Sequence, residues 1–411
     1  MARRTCAIWL AALLASAGGC TELLDGDQYF GDASGRDAGR DGAVILMDAG
    51  DAGEAPDAGG SDPDGGAMDA TVSSDAGDAG ATITVAQVAV GEYHSCARTV
   101  DGNVFCWGAN GMGQATGVAT SMPAPPTPVI TDGTATELCA GHAFTCAATL
   151  LGPIKCWGAN NLGQLGRGNT LSPGGVDEVD VGGASLDVAD LECGSGHVCA
   201  RDRSTQHVFC WGANAYNQVA ATGSIVTTPV RVDDAMTQAV MGAGVSAGTQ
   251  HSCVRDSMGI LCWGRNDDGQ CDMPPSTTRF PPSGHLDTGS FQAVAAGDTF
   301  TCGLATTGVV DCWGSVPFTL PSFRADEVAA GSGFVCFRVE GTNMVRCAAG
   351  AIVDNAAQLE ALNTVAHDLS AGPHHVCGVR AGSAVCWGAN GARQTDPSSV
   401  GAWAGPTQIE L

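Results

Sequence analysis

A short unit recurs seven times between Gly91 and Gln394, and that periodicity constrains the fold more than any other property of the chain. The first copy is "GEYHSCARTVDGNVFCWGANGMGQ" from Gly91; "GHAFTCAATLLGPIKCWGANNLGQLG" follows from Gly141, "GSGHVCARDRSTQHVFCWGANAYNQ" from Gly194 and "GTQHSCVRDSMGILCWGRNDDGQ" from Gly248. Three looser copies start at Gly297, Gly331 and Gly372. Each has a cysteine five residues after its leading glycine and a second cysteine nine to eleven residues later. The first cysteines fall at Cys96, Cys146, Cys199, Cys253, Cys302, Cys336 and Cys377, so the intervals are 50, 53, 54, 49, 34 and 41 residues.

Between the paired cysteines lie turn signals such as "TVDGNV", "LLGPI", "DSMGI" and "ATTGVV", flanked by β-favouring residues, so each copy holds a hairpin. Upstream runs ("VAQVAV", "FQAVAA") alternate weakly, and "TPVRV" and "PTQIEL" read as further short strands. Units of this length accommodate four short strands, the size of one propeller blade. The expectation is an all-β, seven-bladed propeller over residues 83–411. Only "DNAAQLEALNTV" from Asp354 reads as a helical insertion. The terminal "GPTQIEL" is expected to pair beside the first copy and close the ring.

The G-x-x-H start followed by "CWGANNLGQLG"-type segments resembles the RCC1-like (regulator of chromosome condensation) propeller family across residues 83–411. Copies five and six depart from the pattern: Ser315 to Leu320 replace the N-x-x-G-Q segment, and Ala348-Ala349-Gly350 replace Trp-Gly-x, which marks shortened or irregular blades. The resemblance implies architecture and leaves the ligand open, since members act as guanine-nucleotide exchange factors, photoreceptors or secreted inhibitors.

Fourteen cysteines form same-copy pairs: Cys96 with Cys106, Cys146 with Cys156, Cys199 with Cys210, Cys253 with Cys262, Cys302 with Cys312, Cys336 with Cys347 and Cys377 with Cys386. Facing positions across a hairpin are close enough for a disulfide, so seven cross-strand bridges are expected, each contributing at most about 3 kcal/mol by loop entropy. Structural zinc draws cysteines two to four apart, and a thioredoxin-like site needs C-x-x-C, so neither reading fits. Cys139 and Cys193 precede the leading glycines of adjacent copies and are candidates for a bridge between blades; Cys271 is then left over.

His94, His197, His251 and His375 follow their leading glycine by three residues, but Phe144, Phe300 and Phe334 occupy the same place elsewhere, which makes it a packing position. The tryptophans at 107, 157, 211, 263, 313 and 387 are expected between blades. No catalytic residue, metal site or cofactor site is assigned: no Ser-His-Asp order, paired carboxylate motif or H-E-x-x-H stands out, and no helix amino terminus backs the Gly-Gln segments as a phosphate loop. Positions two after the leading glycine vary most, and Tyr93, Gln250, Thr299 and His374 are the candidate partner contacts.

The amino terminus pairs Arg3 and Arg4 with an apolar run from Ala7 to Ala15, then Ala17, Gly18, Gly19 and Cys20. That run is too short to span about 30 Å of hydrocarbon and reads as a signal peptide over residues 1–19. The approach to Cys20 resembles a bacterial lipobox, so Cys20 is the expected lipidation site, and Thr21 after it resembles lipoproteins of an outer membrane. Residues 20–82 contain "DAG" six times and are expected to be a disordered tether reaching about 45 Å. Their aspartates lack the register of a calcium loop.

Eighteen Lys and Arg against 43 Asp and Glu give a net charge of -25, which opposes binding to nucleic acid or anionic lipid surfaces. The expected function is an exported, lipid-anchored, non-enzymatic scaffold in the cell envelope that presents loops to a protein, peptide or envelope partner. The alternatives are an envelope hydrolase or lyase with its site in the propeller channel and, by family analogy, a guanine-nucleotide exchange factor.

Overall fold

The computed structural model describes residues 83–411 apart from 151, 173, 183–185, 235–237, 273, 280–281, 283–284, 321, 351–363 and 400. The signal peptide, Cys20 and the tether therefore lie outside the described residues. Twenty-seven strands, β1 to β27, and no helix occur among those described. β1 (Val85–Val90), β2 (His94–Thr99), β3 (Val104–Gly108) and β4 (Ala124–Ile130) pair antiparallel in that order as the first blade. The same four-stranded arrangement recurs in five further sheets and a three-stranded version in the fifth blade, each sheet contiguous in sequence.

The innermost strands are β1, β5 (Ala135–Ala140), β9 (Val188–Cys193), β13 (Gly244–Ala247), β17 (Phe291–Ala296), β20 (Ala325–Ala330) and β24 (His367–Ala371). Each touches the next, and β24 touches β1, so the wheel is closed. The leading glycines mark the same circle. A Cβ on Gly91 would sit 2.6 Å from the Gly141 carbonyl oxygen, one on Gly141 would sit 2.6 Å from that of Gly194, and the series closes with Gly372, 2.2 Å from that of Gly91. Any side chain there would push neighbouring blades apart.

Inner strands are sheet edges, and unpaired edge groups need partners. Side chains of the adjoining blade supply several: Val88 N–H donates to Asp368 Oδ2 at 2.8 Å, Val90 N–H to Ser370 Oγ at 3.0 Å, and Ala296 N–H to Ser246 Oγ at 3.0 Å. The ring seam differs from the expectation for the carboxyl terminus. β27 (Trp403–Gln408) pairs with β26 (Ser383–Ala389) of its own blade and leaves the first sheet unextended. The seam closes through Asp368 and Ser370, a Val85 N–H to Gly382 O bond of 2.7 Å, and burial of Ile409 against Val85 and Val88.

The helix expected from Asp354 falls almost wholly outside the described residues; its last two, Thr364–Val365, form the short outer strand β23. The fifth blade has only three strands, β17, β18 (Phe300–Ala305) and β19 (Val310–Gly314). Only ten residues, 315–324, separate Gly314 from Ala325, against twenty-six, 109–134, between Gly108 and Ala135 around the first blade's fourth strand.

Disulfides join all seven same-copy pairs with Cα separations of 4.0–4.2 Å, the spacing of non-hydrogen-bonded positions across an antiparallel hairpin. Cys139 and Cys193 form an eighth, with Cα atoms 5.4 Å apart, linking β5 to β9 in the neighbouring blade. Cys271 is buried.

A buried polar relay accounts for the repeated motif. His94 Nε2 lies 2.8 Å from Thr145 Oγ1 of the next blade; that hydroxyl donates to the Gln114 carbonyl at 3.0 Å, and Trp157 Nε1 donates to the same oxygen at 2.9 Å. Because the hydroxyl hydrogen is committed to Gln114, the hydroxyl accepts from the imidazole, so Nε2 carries the proton. The relay recurs as His197, Ser252, Gln218 and Trp263, and as His375, Ser95, Gln394 and Trp107. His251, Thr301 and Gln270 repeat its first part. Burial pushes the imidazoles down, His197 to about 4 and the others to about 3, so all four are neutral.

Where phenylalanine replaces the histidine, the hydroxyl is also missing. Phe144, Phe300 and Phe334 precede blades whose corresponding residues are Val198, Val335 and Val376. Polar faces polar and apolar faces apolar at every junction.

Candidate functional site

Loops joining first to second and third to fourth strands emerge on one face of the wheel. The N-x-x-G-Q segment builds the outer set. Asn110, almost fully buried, donates through Nδ2 to Thr116 Oγ1, Val118 O and Thr120 Oγ1 at 2.8–2.9 Å and accepts from Ala115 N–H at 3.0 Å. Gln114 Oε1 accepts from Met112 N–H at 2.9 Å. Asn160, Asn214, Asn266 and Asn390 do the same in their loops. The motif residues are thus consumed in holding the scaffold, and contact chemistry is left to the residues between them.

At the junction of the last, first and second blades those residues converge. Glu92 carries a short contact to His142 Nδ1, and its Oε1 lies 3.6 Å from His374 Nε2. Tyr93 stacks on His374 with centroids 5.2 Å apart and planes 27° from parallel. Burial alone would raise the Glu92 carboxyl, but hydrogen bonds from His142 and His374 outweigh it and hold the group at about 2. The same hydrogen bond raises His142 against its partial burial. Burial, reinforced by the Glu92 charge, raises the Tyr93 phenol. The result is an aromatic platform beside a carboxylate–imidazole contact, a cluster drawn from three blades.

Of the four candidate contacts, Tyr93 and His374 come together here, whereas Gln250 and Thr299 lie elsewhere on the face. Gln250 Oε1 accepts from Arg265 Nη1 at 3.0 Å, and that guanidinium sits 5.5 Å from the centre of the Tyr216 ring and 2.8 Å from Asp267. Thr299 Oγ1 is 3.3 Å from Ser315 O. Sequence reasoning missed Glu92 and His142. Their signal was an acid and a base directly after the leading glycines of consecutive copies, "GEYH" and "GHAF".

The channel walls gather carboxylates. Burial, then Asp190, Glu137 and Asp368, raise Glu192 to about 8; burial and Glu327 raise Asp368 to about 6 against the Val88 N–H bond and Arg98. Arg98 bonds Gln87 at 3.0 Å, Arg201 bonds Asp190 at 2.6 Å, and Arg338 bonds Glu327 at 2.9 Å. Among the described residues no group of three or more His, Cys, Asp or Glu is arranged to hold a metal ion. The Ser95–His375 and Ser252–His197 contacts, 2.7 and 2.9 Å, have the length of a nucleophile–base pair. Both are fully buried, and each hydroxyl gives its hydrogen to a glutamine carbonyl rather than to the imidazole, so they are structural.

A closed wheel of seven sheets, stapled within each blade and carrying varied loops on one face, is a disulfide-stapled β-propeller. More narrowly, three stretches of it are RCC1-like: the model of the regulator of chromosome condensation (RCC1) repeat matches residues 85–114, 188–218 and 291–315. The chain is 27% identical over 138 residues to the probable E3 ubiquitin-protein ligase HERC4 of Rattus norvegicus, a match covering 32% of this chain and 13% of the ligase. Prp20p of Saccharomyces cerevisiae, described with its binding to Gsp1p and histones, superposes with a TM-score of 0.61 at 16% identity over 80% of this chain and 88% of that one. The ectodomain of the Arabidopsis thaliana receptor kinase ACR4 gives 0.52 at 22% identity over 78% of this chain and 99% of that one. These likenesses define the fold.

Proposed function

We propose that the protein is an exported, lipid-anchored, non-enzymatic scaffold whose loop face binds a protein, peptide or envelope partner. One observation carries the reading: the repeated polar residues are spent on inter-blade bonds, while Glu92, Tyr93, His142 and His374 form a shaped, partly exposed cluster from three blades. Eight disulfides favour an oxidising compartment, in keeping with the Arg-flanked apolar run and the small residues before Cys20. The similarity to Prp20p is one of fold, and nucleotide exchange is not carried over with it.

A photo-crosslinking residue at position 93, set against one at exposed Gln408 on the outer rim, tests the face in intact producing cells. A discrete adduct formed from position 93, absent from 408 and lost with His374→Ala, is the expected result. Equal adducts from both positions would refute it. Cys20→Ala tests the anchor separately by moving the protein from the membrane to the soluble fraction.

A further inference from the structure

The fifth blade offers a second surface, independent of the loop face. Six sheets have four strands and this one has three, although its first three strands match the RCC1 repeat through Ser315. β19 is therefore its outer edge, and no strand among the described residues pairs with it; of its outward groups, the Gly314 carbonyl accepts from the Val316 N–H at 3.1 Å.

The disulfide geometry shows which groups are left over. Cys302 and Cys312 face each other with Cα atoms 4.1 Å apart, a non-hydrogen-bonded pair. Val310, Cys312 and Gly314 then direct their N–H and C=O groups away from β18, while Asp311 and Trp313 bond inward. In the first blade the equivalent residues Val104, Cys106 and Gly108 meet Ile130, Thr127 and Ala124 of β4. Side chains record the same gap: Cys106 and Trp107 are fully buried, whereas Cys312 and Trp313 are partly exposed. The chain after β19 turns away, with Phe318 packing edge-on against Phe300 and Pro317 against Gly350 in the next blade.

Only a backbone can satisfy a row of alternating donors and acceptors, so the natural occupant is an extended segment. Charge selects its sequence. The chain is strongly acidic, and Asp311 is exposed on β19 itself, so the segment is basic on the side chains near Asp311. Its alternate residues cover Val310 and the partly exposed cystine and are apolar.

We propose that the outer edge of β19 is a strand-acceptor site that takes an extended segment of a protein partner with alternating apolar and basic side chains. This goes beyond the loop-face reading, and the two fail separately.

The test uses the full chain, oxidised, with a ten-residue peptide alternating valine and lysine as probe and a valine–glutamate peptide as control. Saturable binding of the lysine peptide, with slowed amide exchange at Val310, Cys312 and Gly314, is expected. Val310→Pro removes an outward donor without touching the β18 ladder and weakens binding about tenfold. Asp311→Lys reverses the preference between the two peptides without altering the backbone. Tyr93→Ala with His374→Ala leaves both effects unchanged. Lysine-peptide binding without protection at β19, or unaltered by both Val310→Pro and Asp311→Lys, would overturn the proposal. So would protection of these amides that rises with protein concentration alone, because a second copy would then fill the edge.

Discussion

Replacing Thr145 by valine, which keeps the shape and deletes the hydroxyl, isolates the relay at the junction of blades one and two. Two hydrogen bonds vanish: the one His94 Nε2 makes at 2.8 Å and the one donated to Gln114 O at 3.0 Å. Gln114 O keeps Trp157 at 2.9 Å, so the carbonyl stays satisfied; the His94 N–H, at zero exposure, does not. A stranded buried donor costs about 1–3 kcal/mol and the second lost bond about 1, so Thr145→Val should destabilise by about 2–4 kcal/mol. His94→Phe alone should cost about 1–2 kcal/mol, since Thr145 retains its bond to Gln114. Together the two substitutions recreate the Phe144–Val198 pairing already present at the next junction. The double variant should therefore be more stable than Thr145→Val by about 1–2 kcal/mol, a coupling that a double-mutant cycle reads from denaturant unfolding without reductant. Additive effects, or a Thr145→Val variant within about 0.5 kcal/mol of the parent, would refute the relay as a stabilising unit.

Glu192 and Asp368 have pKa values raised to about 8 and about 6, so their contribution is full below the ordinary carboxylate range and lost as pH climbs through those values. Glu192→Gln should flatten the fall in melting temperature between pH 5 and 8. Glu92 runs the opposite way: its depressed pKa gives stability above the ordinary glutamate value that is lost as pH falls towards about 2, and Glu92→Gln should remove that acid-side loss. Replacing Cys139 and Cys193 by serine opens a 54-residue loop and should cost about 4 kcal/mol, read as a lower denaturation midpoint in oxidised protein.

Most of the wheel was legible because paired cysteines and leading glycines mark every blade at a fixed offset. The irregularity of the fifth blade was visible where Ser315 to Leu320 replace the N-x-x-G-Q segment, but its missing fourth strand was not, because a 34-residue unit reads as long enough for four. The ring closure was not, because "GPTQIEL" has the same strand character whichever sheet it joins, and only three-dimensional proximity assigns it to β26. The site was half legible. Variation two places after glycine pointed to Tyr93 and His374, but their stacking depends on first and last copies becoming neighbours, 281 residues apart in sequence. Glu92 and His142 escaped because each is unremarkable alone and acquires its role only from the adjoining blade.

Each sheet being contiguous in the chain makes a blade a transferable cassette, and the polar or apolar character of its two faces decides where it can be spliced. His94 would accept Ser252 as readily as Thr145, so excising the second and third blades joins compatible faces, whereas excising the second alone sets His94 against Val198. Gain and loss of blades in such a lineage would therefore be filtered by hydroxyl and imidazole bookkeeping at the joints before any partner exerted selection.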